Sequence, residues 1–295
     1  MNEARKRRQS AVLLAFVFPA LLFYSVFMLV PAFGGIGYSF TDWNGLNKGY
    51  DFVGAANYIE ALTDDPIFID SILFTLKYVV CMVVLLNIIA LLLAAFVESR
   101  RSSKAIFRTI FFMPNMLSMI VGGFMWLFIF TRVLPYIAGH TVLKFLDQSW
   151  IGDPRYSFLA ILTVALWGGV GYHVVIYIAA LQGVPAQLLE AAAIDGANAF
   201  QIFWRIKLPM ILPAVTIGLF VALNNSFKVF DVVFALTGGG PGRQTQVIAL
   251  NIFEEAFKLN NRFGYASAKA MILFIIIFTI TLIQLWVMKK REVEA

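Results

Sequence analysis

Charge is scarce in this sequence. Only 14% of its 295 residues are Asp, Glu, Lys or Arg, where an ordinary soluble domain carries about a quarter. There is one cysteine, Cys81, inside an apolar stretch, which excludes an internal disulfide and a cysteine-based metal cluster. Two histidines, His140 and His173, lie far apart, and a lone histidine in an apolar run reads as a packing or cavity residue rather than a metal ligand. No Gly-x-x-x-x-Gly-Lys-Ser/Thr loop occurs, so the chain lacks the common phosphate cradle. The run from Gly238 to Thr245 is glycine-rich but has no lysine, and reads as a flexible outer turn. Asp64, Asp65 and Asp70 have no second acidic motif to share a magnesium ion with, and read as a solvated loop. These gaps leave no catalytic residues, no metal site and no cofactor to expect. They also disfavour an intramembrane enzyme, which needs paired reactive groups.

What is abundant is apolar sequence, at 60% of residues. It is gathered into six runs, residues 11–33, 72–97, 106–130, 158–181, 211–236 and 270–288. Each is near the roughly 20 residues that cross a bilayer as a helix. Hydrocarbon cannot satisfy free backbone groups, and no alternating lipid-facing strand pattern is present, so an all-α, polytopic bundle of six transmembrane helices is expected. The first run follows Arg5, Lys6, Arg7 and Arg8 but is longer than a signal-peptide core and has no small-x-small cleavage site after it. It reads as a retained span.

The net charge of +6 does not point to nucleic acid, because the basic residues cluster at the ends of apolar runs. Arg5 to Arg8, Arg100, Arg101, Lys104, Arg108, Arg205, Lys207, Lys289, Lys290 and Arg291 fall on one side. Lys48, Arg132, Lys144, Arg155, Arg243, Lys258 and Arg262 fall on the other, with most of the acids. The positive-inside bias therefore predicts an inner-membrane protein with both termini in the cytoplasm. The expected organisation is a cytoplasmic tail at 1–10, one membrane domain at 11–288 with a cytoplasmic loop at 182–207, and a second tail at 289–295.

That loop is the most informative stretch. Pro185 suits the first turn of a helix, and residues 188–194 are strong helix formers. Gly196, just after Asp195, can take the left-handed conformation that ends a helix. A second helix then carries Phe200, Phe203, Trp204 and Ile206 at helical spacing, and Pro209 and Pro213 punctuate the start of the fifth span. Small Ala191, Ala192 and Ala193 allow close approach, and Glu190 offers a charge. Two short helices joined at Gly196 would make a docking knob.

The spacing Glu190-Ala191-Ala192, Asp195-Gly196-Ala197, Phe203, Ile206, Leu208-Pro209 and Pro213 resembles the "EAA" signature of binding-protein-dependent ABC importer permeases. Ser39 to Trp43, Phe52-Val-Gly, Asn57-Tyr58, the run from Phe107 to Pro114, Trp126, and Leu236 to Pro241 with Thr245 look like the sugar-importer branch, the last of these like its maltose-type "F" subunit. The large outer domain of the enteric maltose subunit is absent, since Asp42 to Asp70 is too short to hold it. The resemblance implies a type I importer permease with a MetI-like fold that moves a sugar or related polyol. By the same resemblance Glu190, Ala191, Ala192, Asp195, Gly196 and Ala197 would contact a cytoplasmic ATPase dimer. It also implies a second, "G"-type permease beside this chain and an extracytoplasmic solute-binding protein.

Inside the fifth run lie Asn224, Asn225, Ser226, Lys228 and Asp231. Polar groups in a span tend to face a cavity. On a continuous helix Asn225, Lys228 and Asp231 share one face and the last two can pair. Two readings stand: Asn224, Asn225, Lys228 and Asp231 line a solute path, or Lys228 snorkels outward with Asp231 neutralising it. Gly168, Gly169 and Gly171 permit close helix packing or leave room for a solute. An ion-driven secondary transporter is the competing class, but such proteins usually carry inverted repeats, none of which is apparent, and would give the 182–207 loop no role.

Overall fold

The computed structural model describes residues 3–100, 103–259 and 261–290. Arg101, Arg291 and the rest of the tail at 291–295 lie outside the described residues. Among the described residues five helices are long and apolar enough to cross a bilayer: α1 (Leu13–Tyr38), α3 (Pro66–Glu98), α5 (Met119–His140), α6 (Pro154–Gln182) and α12 (Phe263–Lys289). A bent pair, α8 (Ala199–Met210) and α9 (Leu212–Phe227), which meet at 71°, is together long and apolar enough for a sixth. Shorter helices are α2 (Ala56–Thr63), α4 (Lys104–Phe112), α7 (Ala186–Ile194), α10 (Asp231–Leu236) and α11 (Ile248–Glu254). Among the described residues the only β pairing is a single bridge between Thr41 and Phe52. The chain divides into two compact units, residues 1–65 with 252–272 and residues 66–251 with 273–295.

Two of the expected spans are interrupted. The run at 106–130 does not form one helix. It makes α4, a 3-10 turn at Met113–Met116 and then α5, because Pro114 supplies no N–H and Leu117 and Ser118 are extended. Asn115 Nδ2 pins that turn by donating to the Gly168 carbonyl at 3.2 Å. The run at 211–236 also breaks. It bends at Ile211, with Pro213 in the first turn of α9, and α9 ends at Phe227 before α10 starts at Asp231. Lys228 therefore sits in the turn after α9 and Asp231 at the start of α10, and the two form no ion pair, contrary to the single-face expectation.

In the larger unit α6 is central. Half of its apolar window is buried, against none of that of α1. Asp153 caps it by accepting from the Arg155 N–H at 2.8 Å, with Pro154 at the first helical position. Ala90, Ala94 and Val97 of α3 recur at helical spacing and pack, fully buried, with Val174, Tyr177, Ile178 and Leu181 of α6. Small residues on α3 let the two helices close up, as dispersion rather than the hydrophobic effect must hold helices together in lipid. At Gly171 a Cβ would collide with the Phe111 carbonyl, so α4 lies directly on α6 there. The glycine-rich turn after α10 is braced rather than loose. Thr245, fully buried, bonds the Thr237 hydroxyl at 2.9 Å and donates to the Gly240 carbonyl, while Gly238, Gly239 and Gly242 take positive φ.

In the smaller unit buried Asn57 of α2 donates to the carbonyls of Ser39 and Thr41, both at 2.9 Å, and Tyr58 hydrogen-bonds the Ser39 hydroxyl at 2.6 Å. Trp43 stacks on Tyr38 with ring centroids 4.2 Å apart. These contacts explain why the Ser39–Trp43 and Asn57–Tyr58 segments form a pattern: together they fold the turn after α1.

Candidate functional site

The 182–207 loop folds as the sequence suggests. Helix α7 starts after Pro185 and ends in a Schellman motif, in which Ala197 N–H bonds the Ala192 carbonyl at 2.9 Å and Gly196 N–H the Ala193 carbonyl at 3.1 Å. Gly196 has φ +79°, a conformation that a side chain makes costly. Helix α8 opens with a capping box between Asn198 and Gln201. Glu190, Ala191, Asp195 and Gly196 are exposed, with Ala192 and Ala197 half-buried beside them. Sequence reasoning overlooked Ile194, which is 87% exposed at the tip, next to exposed Phe200 and Trp204. Together they give the knob an exposed apolar cap. The knob's underside is anchored: Leu189, Phe203 and Leu208 pack against Val184, Ile211 and the α3–α6 core.

That core leads to a cavity of about 520 Å³ between α3, α6 and α9. Its wall carries Asn225 and Ser226 of α9, and Lys228 and Asp231 at the break before α10. Three of the four path residues expected from sequence are thus brought together. Asn224 is not among them; its amide donates to Phe220 of its own helix at 3.0 Å. The structure adds Tyr78 of α3, Asn115, and Tyr172 and His173 of α6, with Gly168 and Gly169 leaving space. His173 is nearly fully buried, with Nε2 3.1 Å from the Gly218 carbonyl and Nδ1 3.3 Å from that of Gly169. Hydroxyl, amide, ammonium and carboxylate groups against an apolar wall suit recognition of a polar, hydroxyl-bearing solute. Among the described residues no cluster of His, Cys, Asp and Glu suits a metal ion.

A second polar cluster, unforeseen in the sequence, lies in the smaller unit. Lys269, in the second turn of α12, is completely buried, 2.7 Å from Asp65 and 3.4 Å from Glu255. Tyr265 donates to Asp65 at 2.9 Å. Arg262 forks onto Glu60 at 2.8 and 2.6 Å and lies 3.7 Å from Glu255. Its hydrogen bonds to Glu60 hold the guanidinium pKa above its ordinary value. Asp65 is therefore not part of a solvated acidic loop. The sequence signal was a lysine just before the last apolar run, with Glu254 and Glu255 ahead of the preceding loop.

Residues 86–293 match the family described as "Binding-protein-dependent transport system inner membrane component". The probable starch degradation products transport system permease protein AmyD of Thermoanaerobacterium thermosulfurigenes is 41% identical, over 95% of this chain and 94% of that protein. The multiple sugar-binding transport system permease protein MsmF of Streptococcus mutans is 37% identical, over 94% of this chain and 95% of that one. Among solved structures, a chain of a bacterial ABC transporter that imports the acidic polysaccharide alginate superposes with a TM-score of 0.83 at 19% identity, covering 97% of this chain and 98% of that one.

Proposed function

This chain belongs to the inner-membrane components of binding-protein-dependent transport systems, and on that premise we propose that it forms part of the pathway by which an ABC importer passes a neutral carbohydrate or polyol into the cytoplasm. As a family member it is a multi-pass membrane permease subunit and works with a solute-binding protein. The names of the AmyD and MsmF relatives favour a sugar as cargo. So does the cavity, whose one ammonium and one carboxylate, Lys228 and Asp231, offset each other. An acidic polymer would want an excess of cations there. The distribution of Lys and Arg supports cytoplasmic termini and a cytoplasmic knob. In this reading a second permease stands beside the chain and an ATPase dimer below it hydrolyses ATP. The binding protein delivers solute from outside.

The observation that carries the reading is the exposed helix–glycine–helix knob whose buried side continues into the core under the cavity. Ile194, Phe200 and Trp204 would dock the ATPase, with Glu190 to Ala197 at the contact. Gly196→Val tests it in reconstituted complexes. A β-branched residue at φ +79° should distort the turn, so binding-protein-stimulated ATPase activity and uptake should fall by about tenfold or more. Stimulation at the parent level in an assembled Gly196→Val complex would refute the docking role.

A further inference from the structure

Lys77 lies in the first half of α3, inside the apolar run at 72–97. Among the described residues no carboxylate pairs with it. Its neighbours along that face of the helix, at spacings of three and four, are Leu73, Val80, Val84 and Ile88, each at least half exposed. Tyr78, Met82 and Leu86 of the same helix line the cavity, so the Lys77 strip points away from the proposed solute path. The other charges on α3 are Glu98, at its far end, and Asp70, two turns or about 10 Å toward Pro66. Lys77 Nζ rests over the ring of Phe158 on α6, 4.3 Å from its centroid, and Phe74 meets the same ring edge-on at 5.8 Å. Phe158 is buried, so this contact draws the ammonium onto the seam between α3 and α6. Arg155, three residues before Phe158 and on adjoining surface of α6, is exposed and also forms no ion pair among the described residues.

We propose that this seam binds the headgroup of an anionic phospholipid, drawn from the leaflet at the Pro66 end of α3, with its phosphate on Lys77 and Arg155 and an acyl chain along Val80, Val84 and Ile88. The proposal requires only that α3 spans the bilayer, and is independent of the cargo. Depth supports it. The 33 residues of α3 make a helix about 50 Å long against about 30 Å of hydrocarbon. If the excess is shared between the two ends, the headgroup boundary falls about 10 Å from Pro66 and Lys77 a few Å inside it, within reach of a lysine stem. Charge supports it too. An ammonium in a span is costly unless an opposite charge meets it. An apolar protein surface laid on the strip would cover Leu73 and Val80 but leave that charge unmet. A phospholipid matches both parts, with its headgroup at the two cations and its tail on the valines and isoleucine.

The test places the assembled transporter in nanodiscs that carry a photoreactive phosphatidylglycerol or, in parallel, phosphatidylcholine with the same photoreactive chain. Crosslinks to residues 73–88 are then counted by peptide mass spectrometry. Phosphatidylglycerol should label this strip about fivefold more than phosphatidylcholine, the weight of one lysine beside an anionic headgroup. Lys77→Gln should abolish the preference and Lys77→Arg should keep it, both with an unchanged melting temperature. Arg155→Gln should lower it, and serves if Lys77→Gln fails to assemble. Excess inorganic phosphate at matched ionic strength should leave the labelling as it was; displacement would mean a site for a free anion and would overturn the lipid. Equal labelling by the two lipids, or a preference that survives Lys77→Gln, also overturns the proposal. Labelling by neither lipid means that a protein partner covers the strip, and the lipid site falls.

Discussion

The charges around Lys269 and the polar groups around the cavity are both islands in an apolar chain, and they are built on opposite plans. Around Lys269 each charge faces its opposite: the ammonium lies between Asp65 and Glu255, and Arg262 is forked onto Glu60. Around the cavity Asn225, Lys228 and Asp231 face open space. A closed network fixes three segments of the smaller unit in one arrangement. An open set of donors and acceptors stays available to something that arrives and leaves. Burial without water makes the first arrangement costly to break, and exposure to the lumen makes the second cheap to alter for folding but not for transport.

The largest expected effect is at the closed end of that contrast. Lys269→Met leaves Asp65 and Glu255 close together without their shared cation, and should destabilise the protein by about 3–5 kcal/mol, seen as a lowered melting temperature and poor yield of assembled complex. A Met variant as stable as the parent would erase the distinction between the two islands. Next come Asn225→Ala and Lys228→Ala, which should cut uptake by about tenfold while shifting stability by no more than about 0.5 kcal/mol. Parent-level uptake at normal expression would remove the cavity from the transport path. The smallest effect is expected from Arg262→Lys, which loses the fork to a half-exposed Glu60 and should cost about 0.2–1 kcal/mol by thermal melting. Because the folded-state pKa of Arg262 is raised, its contribution is complete below the unfolded value and fades only as pH rises through the folded one. Both lie far above neutrality, so Arg262 should add no slope to stability between about pH 5 and pH 9.

Legibility in the sequence followed the range of the interactions. The knob was readable because its signals are local: Pro185 before α7, Gly196 at its end, and Phe200, Phe203 and Trp204 at helical spacing after it. The six apolar runs located the spans, since bilayer thickness imposes length regardless of partners. Their interiors were less readable. Hydropathy does not register the extended Leu117 and Ser118, or the bend at Ile211, so α4 was merged with α5, and Lys228 and Asp231 were assigned to one helix face. The Lys269 network was out of reach because its partner Asp65 is distant along the chain and meets it only after folding. His173 was read as a packing or cavity residue and is both, but its bond to Gly218 depends on how closely α6 and α9 approach.

The bend between α8 and α9 has a mechanical consequence. A straight rod pushed from below would slide along its own axis and leave its neighbours at the same height. A crank set at 71° with its pivot at Ile211, which is buried and so held in place, turns part of any thrust on the knob into a sideways sweep of Leu212–Phe227. That arm bears Gly218 near its middle and Asn225 and Ser226 toward its far end. Rotation about the pivot moves the far end most, so a thrust on the knob would displace Asn225 and Ser226 more than Gly218.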